Sequence, residues 1–184
     1  MKKGVRILAV GTGPAEGRGR TMLVGLVFRG GIVEGVIAGR VAIDGTDATS
    51  RIASMLSRSR FRGQVKIIAL NGIGIAGLNI VDIQKLGKAT GTGVISVTRH
   101  KPHPKKLIAA LVAFGKMEHV DVGKRIEIVK QIEAMGVIRA GGFYAQTTMS
   151  KTDAGGFVEG CVAQLRLVHM IARAVSTGES VGRI

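Results

Sequence analysis

Three apolar runs at the start of the chain constrain its fold more than any other feature. They cover residues 5–10, 21–30 and 32–43, and they are rich in the aliphatic and β-branched side chains that favour strands. Gly30 and Gly31 separate the second run from the third, and a Gly-Gly pair between two such runs indicates a hairpin turn. The sequence therefore predicts a sheet that begins with three sequential antiparallel strands.

The pattern then changes to an alternation of helices and strands. Ile52, Met55 and Leu56 share the i, i+3, i+4 spacing of one helix face, and Thr46 or Asp47 is suited to cap this helix. Further apolar patterns predict strands at 64–70 and 93–98, a strand or extended loop at 136–148, and helices at about 82–90 and 161–176, with helical faces at 107–112 and at 128–135 between them. The last helix is expected to bury Leu165, Val168, Ala172 and Val175. An order of three strands, helix, strand, helix, strand is that of an RNase H-like fold.

The predicted fold class is therefore α/β, with a mixed sheet of five or more strands flanked by helices. The chain has 184 residues, which suits one domain over residues 1–184 with a full hydrophobic core. No apolar run has the length of a membrane-spanning helix, and the N-terminal run is too brief for a signal peptide. The single cysteine, Cys161, excludes an intramolecular disulfide and a cysteine-based metal cluster. We expect a cytoplasmic protein that does not enter membranes.

A strong positive charge is the clearest compositional signal. The chain carries 27 lysines and arginines against 12 acids, a net charge of +15, and the excess extends over both halves. A field of this sign attracts polyanions, of which nucleic acid is the commonest. Only five Phe and one Tyr are present, so a broad surface for stacking single-stranded bases is not expected.

One glycine-rich loop suggests a different function. Residues 72–77 read G-x-G-x-x-G after a predicted strand, a pattern found in dinucleotide-binding turns. The acid expected about twenty residues later for a ribose hydroxyl is absent, but Arg99 follows the next strand and suits a 2′-phosphate. A nucleotide- or NADP-binding module built on Gly72–Gly77 therefore stays open as an alternative. No G-K-[ST] triplet occurs, which argues against a P-loop nucleotidase.

Six ordered motifs carry a resemblance to a known family. They are "RILAVGTGP", "LVGLVFRGG", "DGTDAT", "ALNGIGIAGLNIVD", "TRHKP" and "LRLVHMIARAVSTGESVGR". In these motifs the chain resembles the archaeal endonuclease dU family, which is distantly related to endonuclease V. The resemblance implies an RNase H-like fold, and it implies nicking of DNA at deaminated bases, deoxyuridine in particular, with Mg²⁺ or Mn²⁺ as cofactor.

The chain departs from that family where the metal ligands belong. The family reads "GIDDGP" where this chain has "AVGTGP", so Gly11 and Thr12 replace two acids. It reads "LDGITFAGFN" where this chain has "LNGIGIAGLN", so Asn71 replaces a third. Mg²⁺ prefers charged oxygen ligands, and asparagine and glycine are poor substitutes. The activity is therefore expected to be weakened or lost, and a catalytically degenerate DNA- or RNA-binding protein is the alternative function.

Two acids remain near the predicted site. Asp44 and Asp47 lie in "IDGTD" before the first helix, at a spacing that allows both to face one site. By resemblance to endonuclease V, Asp47 is the expected metal ligand, with Asp44 as a second candidate. The alternative for Asp47 is a helix cap, and for Asp44 a turn-closing role.

Other candidate residues concern the nucleic acid and the chemistry. His169 in "LRLVH" is a candidate catalytic residue, with ordinary packing as its alternative. Tyr144 is suited to stack on a flipped base, again with packing as the alternative. The candidates for backbone contact are cationic, and those of residues 99–106 share a loop that two prolines stiffen: Arg99, Lys101, Lys105, Lys106 and Arg166. DNA is the expected partner rather than RNA, and the sequence leaves the oligomeric state open.

Overall fold

The three N-terminal apolar runs form the antiparallel strands that their sequence predicts. In the computed structural model, which describes residues 4–180, these strands are β1 (Arg6–Thr12), β2 (Arg20–Arg29) and β3 (Ile32–Ala42). Each pairs antiparallel with the next along the chain. Gly30 and Gly31 both have positive φ angles, of 58° and 91°, which a glycine adopts without steric cost and which a tight hairpin requires.

The remaining elements follow in an alternating order. The further strands are β4 (Val65–Asn71), β5 (Gly74–Ile75), β6 (Asn79–Ile80), β7 (Gly93–Thr98), β8 (Ile138–Ala140) and β9 (Phe143–Thr147). The helices are α1 (Ala48–Ser57), α2 (Ile83–Thr90), α3 (Pro104–Glu118), α4 (Gly123–Ala134) and α5 (Lys151–Thr177). Residues 136–148 thus form a two-stranded hairpin rather than one strand or a loop.

Seven of the strands form one mixed sheet in the order β3-β2-β1-β4-β7-β9-β8. The central strands β1, β4 and β7 are parallel, and β9 and β8 complete the sheet antiparallel. The three parallel strands end at Thr12, Asn71 and Thr98, which lie along one border of the sheet. We call this border the site edge. The predicted mixed sheet flanked by helices is confirmed, with two strands more than the minimum of five.

Helices cover both faces of the sheet because its strands alternate their apolar side chains. Leu8 and Val10 of β1 face a core shared with α1, α2 and α4, whereas Ile7 and Ala9 face α5. The second core is centred on the side of α5 that carries Val158, Cys161, Leu165, Val168 and Ala172. Among residues 4–180, no helix has the length and hydropathy needed to span a membrane.

Some predicted boundaries were wrong. Helix α5 begins at Lys151, ten residues before the predicted start, because Ser150 caps it by accepting a hydrogen bond from the N–H of Asp153. Val175, expected in the core, is 65% exposed near the end of this helix, beyond Ala172, the last core residue of α5. Lys105 and Lys106 lie in the first turn of α3 rather than in a loop. Residues 181–183 of the last motif lie outside the described residues.

Candidate functional site

The site edge is the natural place for a ligand in this fold, because the carboxyl ends of parallel strands leave a crevice beside the sheet. Val10 of β1 pairs with Leu70 of β4, so the next residues along the strands, Gly11 and Asn71, are neighbours. Thr12 ends β1, one residue later. The structure therefore brings together the three positions at which the resembling family has acids.

Helix α5 packs closely against the end of β1. A Cβ atom added to Gly11 would lie 3.0 Å from Cγ1 of Val168 and 3.1 Å from the backbone nitrogen of His169. The imidazole of His169 forms a hydrogen bond with the backbone of Thr12, while its buried Nε2 has no hydrogen-bond partner among the described residues. Burial lowers the pKa of His169, and the bond to Thr12 opposes this only in part. His169 is thus a mostly buried imidazole at the site edge that favours the neutral form.

Asn71 lies half-buried in a narrow cleft on the same face of the sheet. This cleft is also lined by Val97, Thr98, Arg99, Phe143, Val162 and Leu165. The structure thus brings two predicted site residues, Asn71 and Arg99, to one cleft beside α5. The residues that line the cleft include a cation and an amide but no carboxylate.

Asp47 lies at the start of α1, on the opposite face of the sheet. Its Oδ1 accepts hydrogen bonds from the N–H of Ala42 at 3.1 Å and from Nδ2 of Asn79 at 2.9 Å. Its Oδ2 accepts one from Nε of Arg51 at 3.0 Å and lies 3.8 Å from Nη2 of Arg20. Burial alone would raise the pKa of Asp47, but the bonds from Asn79, Arg51 and Ala42 outweigh it and hold the pKa below its usual range. Both carboxylate oxygens therefore already have donors.

Asp47 occupies the N-cap position of α1, but its side chain does not cap the helix. The carboxylate is turned towards Ala42 and Arg51. The N–H of Ala48, at the start of the helix, donates to Oδ1 of Asn79 at 3.0 Å rather than to Asp47. Asn79 is completely buried and also donates to the carbonyl oxygen of Ala42. The buried amide of Asn79 therefore joins the start of α1 to the loop after β4.

Asp44 makes a second connection between the same two loops. Its φ is +53°, a conformation that aspartate tolerates better than most residues, and its Oδ1 accepts a 2.7 Å hydrogen bond from the N–H of Leu78. Gly77 has a φ of +84°, and a Cβ atom there would collide with the Asp44 carboxylate. Arg125 of α4 donates through Nη1 to the carbonyl oxygens of Asp44 and Leu78 at 2.9 and 3.2 Å. We call Asp44, Asp47, Asn79 and Arg125 the loop junction.

The acids of the loop junction do not form a metal centre with the residues of the site edge. Within residues 4–180, no group of three or more His, Cys, Asp or Glu side chains is placed to hold a metal ion. No hydrogen bond of the described residues links Asp44 or Asp47 to Asn71 or His169. The donor set at the site edge is neutral, and the nearby carboxylates are held by guanidinium, amide and backbone donors. These residues do not fit the metal site that the resemblance implies.

A cavity of about 230 Å³ opens beside the end of β4, on the face opposite α5. Its lining includes Gly72, Ser96, Thr98, His103, Leu107 and Gln146. Tyr144 pairs with Thr98 across the β7–β9 ladder and therefore lies next to this cavity. The guanidinium of Arg139 lies 5.8 Å from the centre of the Tyr144 ring. The cavity therefore combines apolar walls, a few polar groups and an adjacent aromatic ring.

Three of the predicted phosphate-contacting residues, Lys101, Lys105 and Lys106, lie on the segment that borders this cavity, whereas Arg99 lines the cleft on the α5 face. Arg99, Lys101, Lys105 and Lys106 are all exposed, and the segment between them contributes Pro102, His103 and Pro104 to the cavity wall. Arg166 is exposed on α5, on the other face of the sheet. Lys101, Lys105 and Lys106 therefore share one border with the cavity, and Arg99 and Arg166 do not.

The glycine loop does not have the geometry of a dinucleotide-binding turn. Residues 74–80 fold back as the short β5–β6 ladder, and α2 begins only at Ile83. Asp82 caps α2 through its Oδ1, which accepts from the N–H of Lys85 at 2.8 Å. Because no helix begins at Gly77, no helix N-terminus is available to bind a pyrophosphate. The structure removes the basis of the NADP alternative.

Sequence reasoning missed two members of the loop junction, Asn79 and Arg125. Asn79 carried no usable signal, because its partners are more than thirty residues away in the chain. Arg125 did carry a sequence signal. It precedes Val129 by four residues and Ile132 by seven, which places a cation on the apolar face of α4. A charged residue on a buried helix face requires partners, and here they are backbone carbonyls.

Solved structures resemble this chain over most of its length. A protein of unknown function from Archaeoglobus fulgidus superposes with a TM-score of 0.80 at 32% identity, covering 93% of this chain and 98% of that one. Human ENDOV superposes with a TM-score of 0.55 at 12% identity, covering 91% and 82%. Endonuclease V of Ciona intestinalis, solved with a DNA that contains inosine, gives 0.51 at 11% identity, covering 86% and 77%. These similarities confirm the predicted RNase H-like fold.

Sequence comparisons agree with the motifs. The UPF0215 protein of Thermococcus gammatolerans is 38% identical over 170 residues, 88% of this chain and 85% of that protein. The UPF0215 protein of Archaeoglobus fulgidus is 35% identical over 169 residues, 88% and 89% of the two chains. A family model described as Endonuclease dU matches residues 3–176. The chain belongs to the endonuclease dU family.

Proposed function

We propose that this chain binds DNA at a deaminated base, deoxyuridine in particular, and that its metal-dependent nicking is weak or lost. The second half rests on the site edge, where Gly11, Thr12 and Asn71 provide no carboxylate, and on Asp47, whose two carboxylate oxygens already accept hydrogen bonds on the opposite face of the sheet. The first half rests on the family, whose name refers to deoxyuridine, and on the similarity to an endonuclease V solved with inosine-containing DNA.

The cavity beside β4 supports base recognition. A base flipped out of the duplex needs a pocket with apolar walls, a ring to stack on and polar groups for its Watson–Crick edge. Leu107 supplies apolar surface, the Ser96 and Thr98 hydroxyls and the Gln146 amide supply polar groups, and Tyr144 lies beside them. The amide of Gln146 is oriented by a 3.1 Å bond from Nε2 to the carbonyl oxygen of Ile132.

The cations next to the cavity support binding of the DNA backbone. Lys101, Lys105 and Lys106 are exposed on the segment that forms one wall of the cavity, and Arg99 is exposed just before this segment, where it lines the cleft on the α5 face. Cations in this position neutralise phosphates on either side of a base held in the cavity, which fixes the register of the duplex without reading its sequence.

A second candidate function is a nicking endonuclease that retains activity. One observation favours it: His169 presents a buried Nε2 without a hydrogen-bond partner among the described residues, beside the end of β1. A neutral imidazole in this position is able to accept a proton during phosphodiester hydrolysis. The family implies a divalent ion, Mg²⁺ or Mn²⁺, for this chemistry, and the present donor set does not fit one.

Binding and nicking assays separate the two functions. Labelled duplexes that contain uracil, hypoxanthine or only normal bases are incubated with the protein in Mg²⁺, in Mn²⁺ and in EDTA. We expect tighter binding to the uracil duplex than to the normal duplex, and no nicking above the EDTA background. Equal affinity for all three duplexes contradicts the proposed recognition. Metal-dependent nicking that disappears in His169→Ala establishes the second candidate instead.

Tyr144 provides a matched pair of variants for the cavity. Tyr144→Ala removes the ring, and Tyr144→Phe keeps it without the hydroxyl. Stacking on a base contributes about 1–3 kcal/mol, so the alanine variant is expected to lose about 5- to 150-fold in affinity for the uracil duplex. The phenylalanine variant is expected to bind like the wild type. If both variants bind the uracil duplex like the wild type, Tyr144 does not contact the base.

A further inference from the structure

Two buried polar side chains in the wall of the 230 Å³ cavity keep atoms without a hydrogen-bond partner. Ser96 of β7 is 3% exposed, and Gln146 of β9 is 7% exposed. They lie directly opposite each other in the β7–β9 ladder, a position in which Cβ atoms are about 4.5–5.5 Å apart. Within residues 4–180, neither the hydroxyl of Ser96 nor Oε1 of Gln146 forms a hydrogen bond, and neither atom is sealed from solvent. We call Ser96 and Gln146 the cavity pair.

The amide of Gln146 is held in one orientation, with its oxygen left free. Its Nε2 donates to the carbonyl oxygen of Ile132 at 3.1 Å. Because a carbonyl oxygen only accepts, the amide must turn its NH₂ group to Ile132 and its Oε1 away from it. Buried polar atoms nearly always have a partner, so an unpartnered acceptor in a cavity wall indicates that the partner comes from what fills the cavity. The group that fits Oε1 is a hydrogen-bond donor.

Deamination creates such a donor on a base. The ring nitrogen N3 of cytosine and N1 of adenine are acceptors, and conversion to uracil or hypoxanthine places a hydrogen on that nitrogen, next to a new carbonyl. Oε1 of Gln146 is complementary to the new N–H, and the hydroxyl of Ser96 is able to donate to a carbonyl beside it. A parent base held in the same register turns its ring acceptor towards Oε1, which leaves both atoms without a hydrogen.

We propose that Gln146 distinguishes a deaminated base from its parent by accepting a hydrogen bond from the ring N–H that deamination creates, while Ser96 donates to the neighbouring carbonyl. This inference rests on the proposed function, because it assumes that a base enters the cavity. It assigns base discrimination to the cavity pair, whereas Tyr144 stacks on any base and the cations bind phosphates. Thymine has the same N3–H as uracil, so Gln146 contributes nothing to a preference for uracil over thymine.

The test compares bases that differ at N3 while the cost of unpairing them is kept equal. Duplexes carry uracil, cytosine or thymine opposite an abasic site, and affinity is measured by fluorescence anisotropy in EDTA, so that no strand is cut. The wild type is expected to prefer uracil over cytosine by about 5- to 150-fold, the effect of one unpaired buried acceptor. Gln146→Met is expected to lose this preference and to keep the wild-type ratio of uracil to thymine. Gln131→Met, the same substitution at an exposed position of α4, is expected to keep both ratios.

Two further measurements guard against a folding defect. Gln146→Met is expected to fold, because the carbonyl oxygen of Ile132 still accepts from the N–H of Met135 at 3.2 Å. A duplex with N3-methyl-deoxyuridine needs no variant, and the wild type is expected to bind it no more tightly than the cytosine duplex. Ser96→Ala is expected to weaken binding of uracil and thymine by the same factor.

The outcomes separate the role of Gln146 from the proposed function. If the wild type prefers uracil over cytosine and Gln146→Met keeps that preference, the inference is wrong and the proposed function stands. Wild-type protein that binds N3-methyl-deoxyuridine as tightly as deoxyuridine overturns the inference in the same way. Equal losses of the preference in Gln146→Met and Gln131→Met also overturn it. If the wild type binds all three duplexes equally, the proposed recognition fails and the inference fails with it.

Discussion

Replacing Asp47 with alanine tests whether its carboxylate is structural or binds metal. The structure assigns it two hydrogen bonds from partly buried donors, the N–H of Ala42 and the amide of Asn79, and an ion pair with Arg51. A hydrogen bond to a charged group contributes about 1.5 kcal/mol, and a surface ion pair about 0.5 kcal/mol. Asp47→Ala is therefore expected to lower the free energy of unfolding by about 3.5 kcal/mol. For a chain of this length that loss lowers Tm by about 7–14 °C.

Thermal unfolding with and without Mn²⁺ checks this expectation. The wild type is expected to melt at the same temperature in Mn²⁺ and in EDTA, because guanidinium and amide donors already occupy both carboxylate oxygens. Glu133→Ala, which removes an exposed acid from α4, is the charge-matched control and is expected to leave Tm unchanged. If Mn²⁺ raises Tm of the wild type but not of Asp47→Ala, and the variant alone is as stable as the wild type, the carboxylate is a metal ligand and the reasoning is refuted.

Acid provides an independent check on the same carboxylate. The pKa of Asp47 in the folded protein lies below its ordinary value of 3.8. Above that ordinary value Asp47 is ionised in the folded and the unfolded protein, and its full stabilisation is present. As pH falls through the lower folded pKa, the carboxylate becomes protonated and this contribution is lost. The stability difference between wild type and Asp47→Ala is therefore expected to be constant near neutral pH and to shrink below about pH 4.

Three other buried groups lead to further predictions. Burial lowers the pKa of His169 below 6.5, so below that pH the unfolded chain binds a proton that the folded chain excludes. The free energy of unfolding in urea is therefore expected to fall as the pH drops below about 6.5. His169→Gln is expected to reduce that fall. Arg125→Met removes two hydrogen bonds from a guanidinium to loop carbonyls and is expected to cost about 2 kcal/mol in urea unfolding, with Arg125→Lys costing less. Burial raises the pKa of Cys161 to about 12, so iodoacetamide at pH 8 is expected to alkylate it only after unfolding, as mass spectrometry will show.

The strand and helix pattern was predictable where the signal is local. The antiparallel start follows from three apolar runs and the Gly30–Gly31 turn, all contained within about forty residues. The full length of α5 was not predictable from the sequence. Its first ten residues include Gly155 and Gly156, which disfavour a helix that has no tertiary contacts. Packing of Ala154, Phe157 and Val158 against the sheet stabilises this part of the helix. Tertiary contacts here override local propensity.

The candidate site divides in the same way. Sequence motifs made Asn71, Arg99 and His169 candidates, because a family resemblance points to strand ends and to one turn of a helix, and the structure places all three near the site edge. The roles of Asp44 and Asp47 were not accessible, since a spacing of three residues fits a shared ligand site and a loop junction equally well. Leu78 and Arg125, the partners that distinguish the two, are 34 and 81 residues away from Asp44 in sequence. A carboxylate's function depends on such distant donors, which a motif does not contain.

The two strand ends differ in how easily an acid could be restored. Asn71 lies half-buried in a cleft that Arg99 also lines, so an aspartate there gains a cation nearby, and Asn71→Asp is expected to fold with an unchanged Tm. Gly11 has no room, because a Cβ atom would lie 3.0 Å from Val168 and 3.1 Å from the backbone of His169. Gly11→Asp is therefore expected to cost at least the 1–3 kcal/mol or so typical of overpacking, with a buried charge in addition. An unchanged Tm for Gly11→Asp would show that α5 yields at this point. The expected loss would instead mean that the packing of α5 on β1 now excludes a carboxylate at position 11.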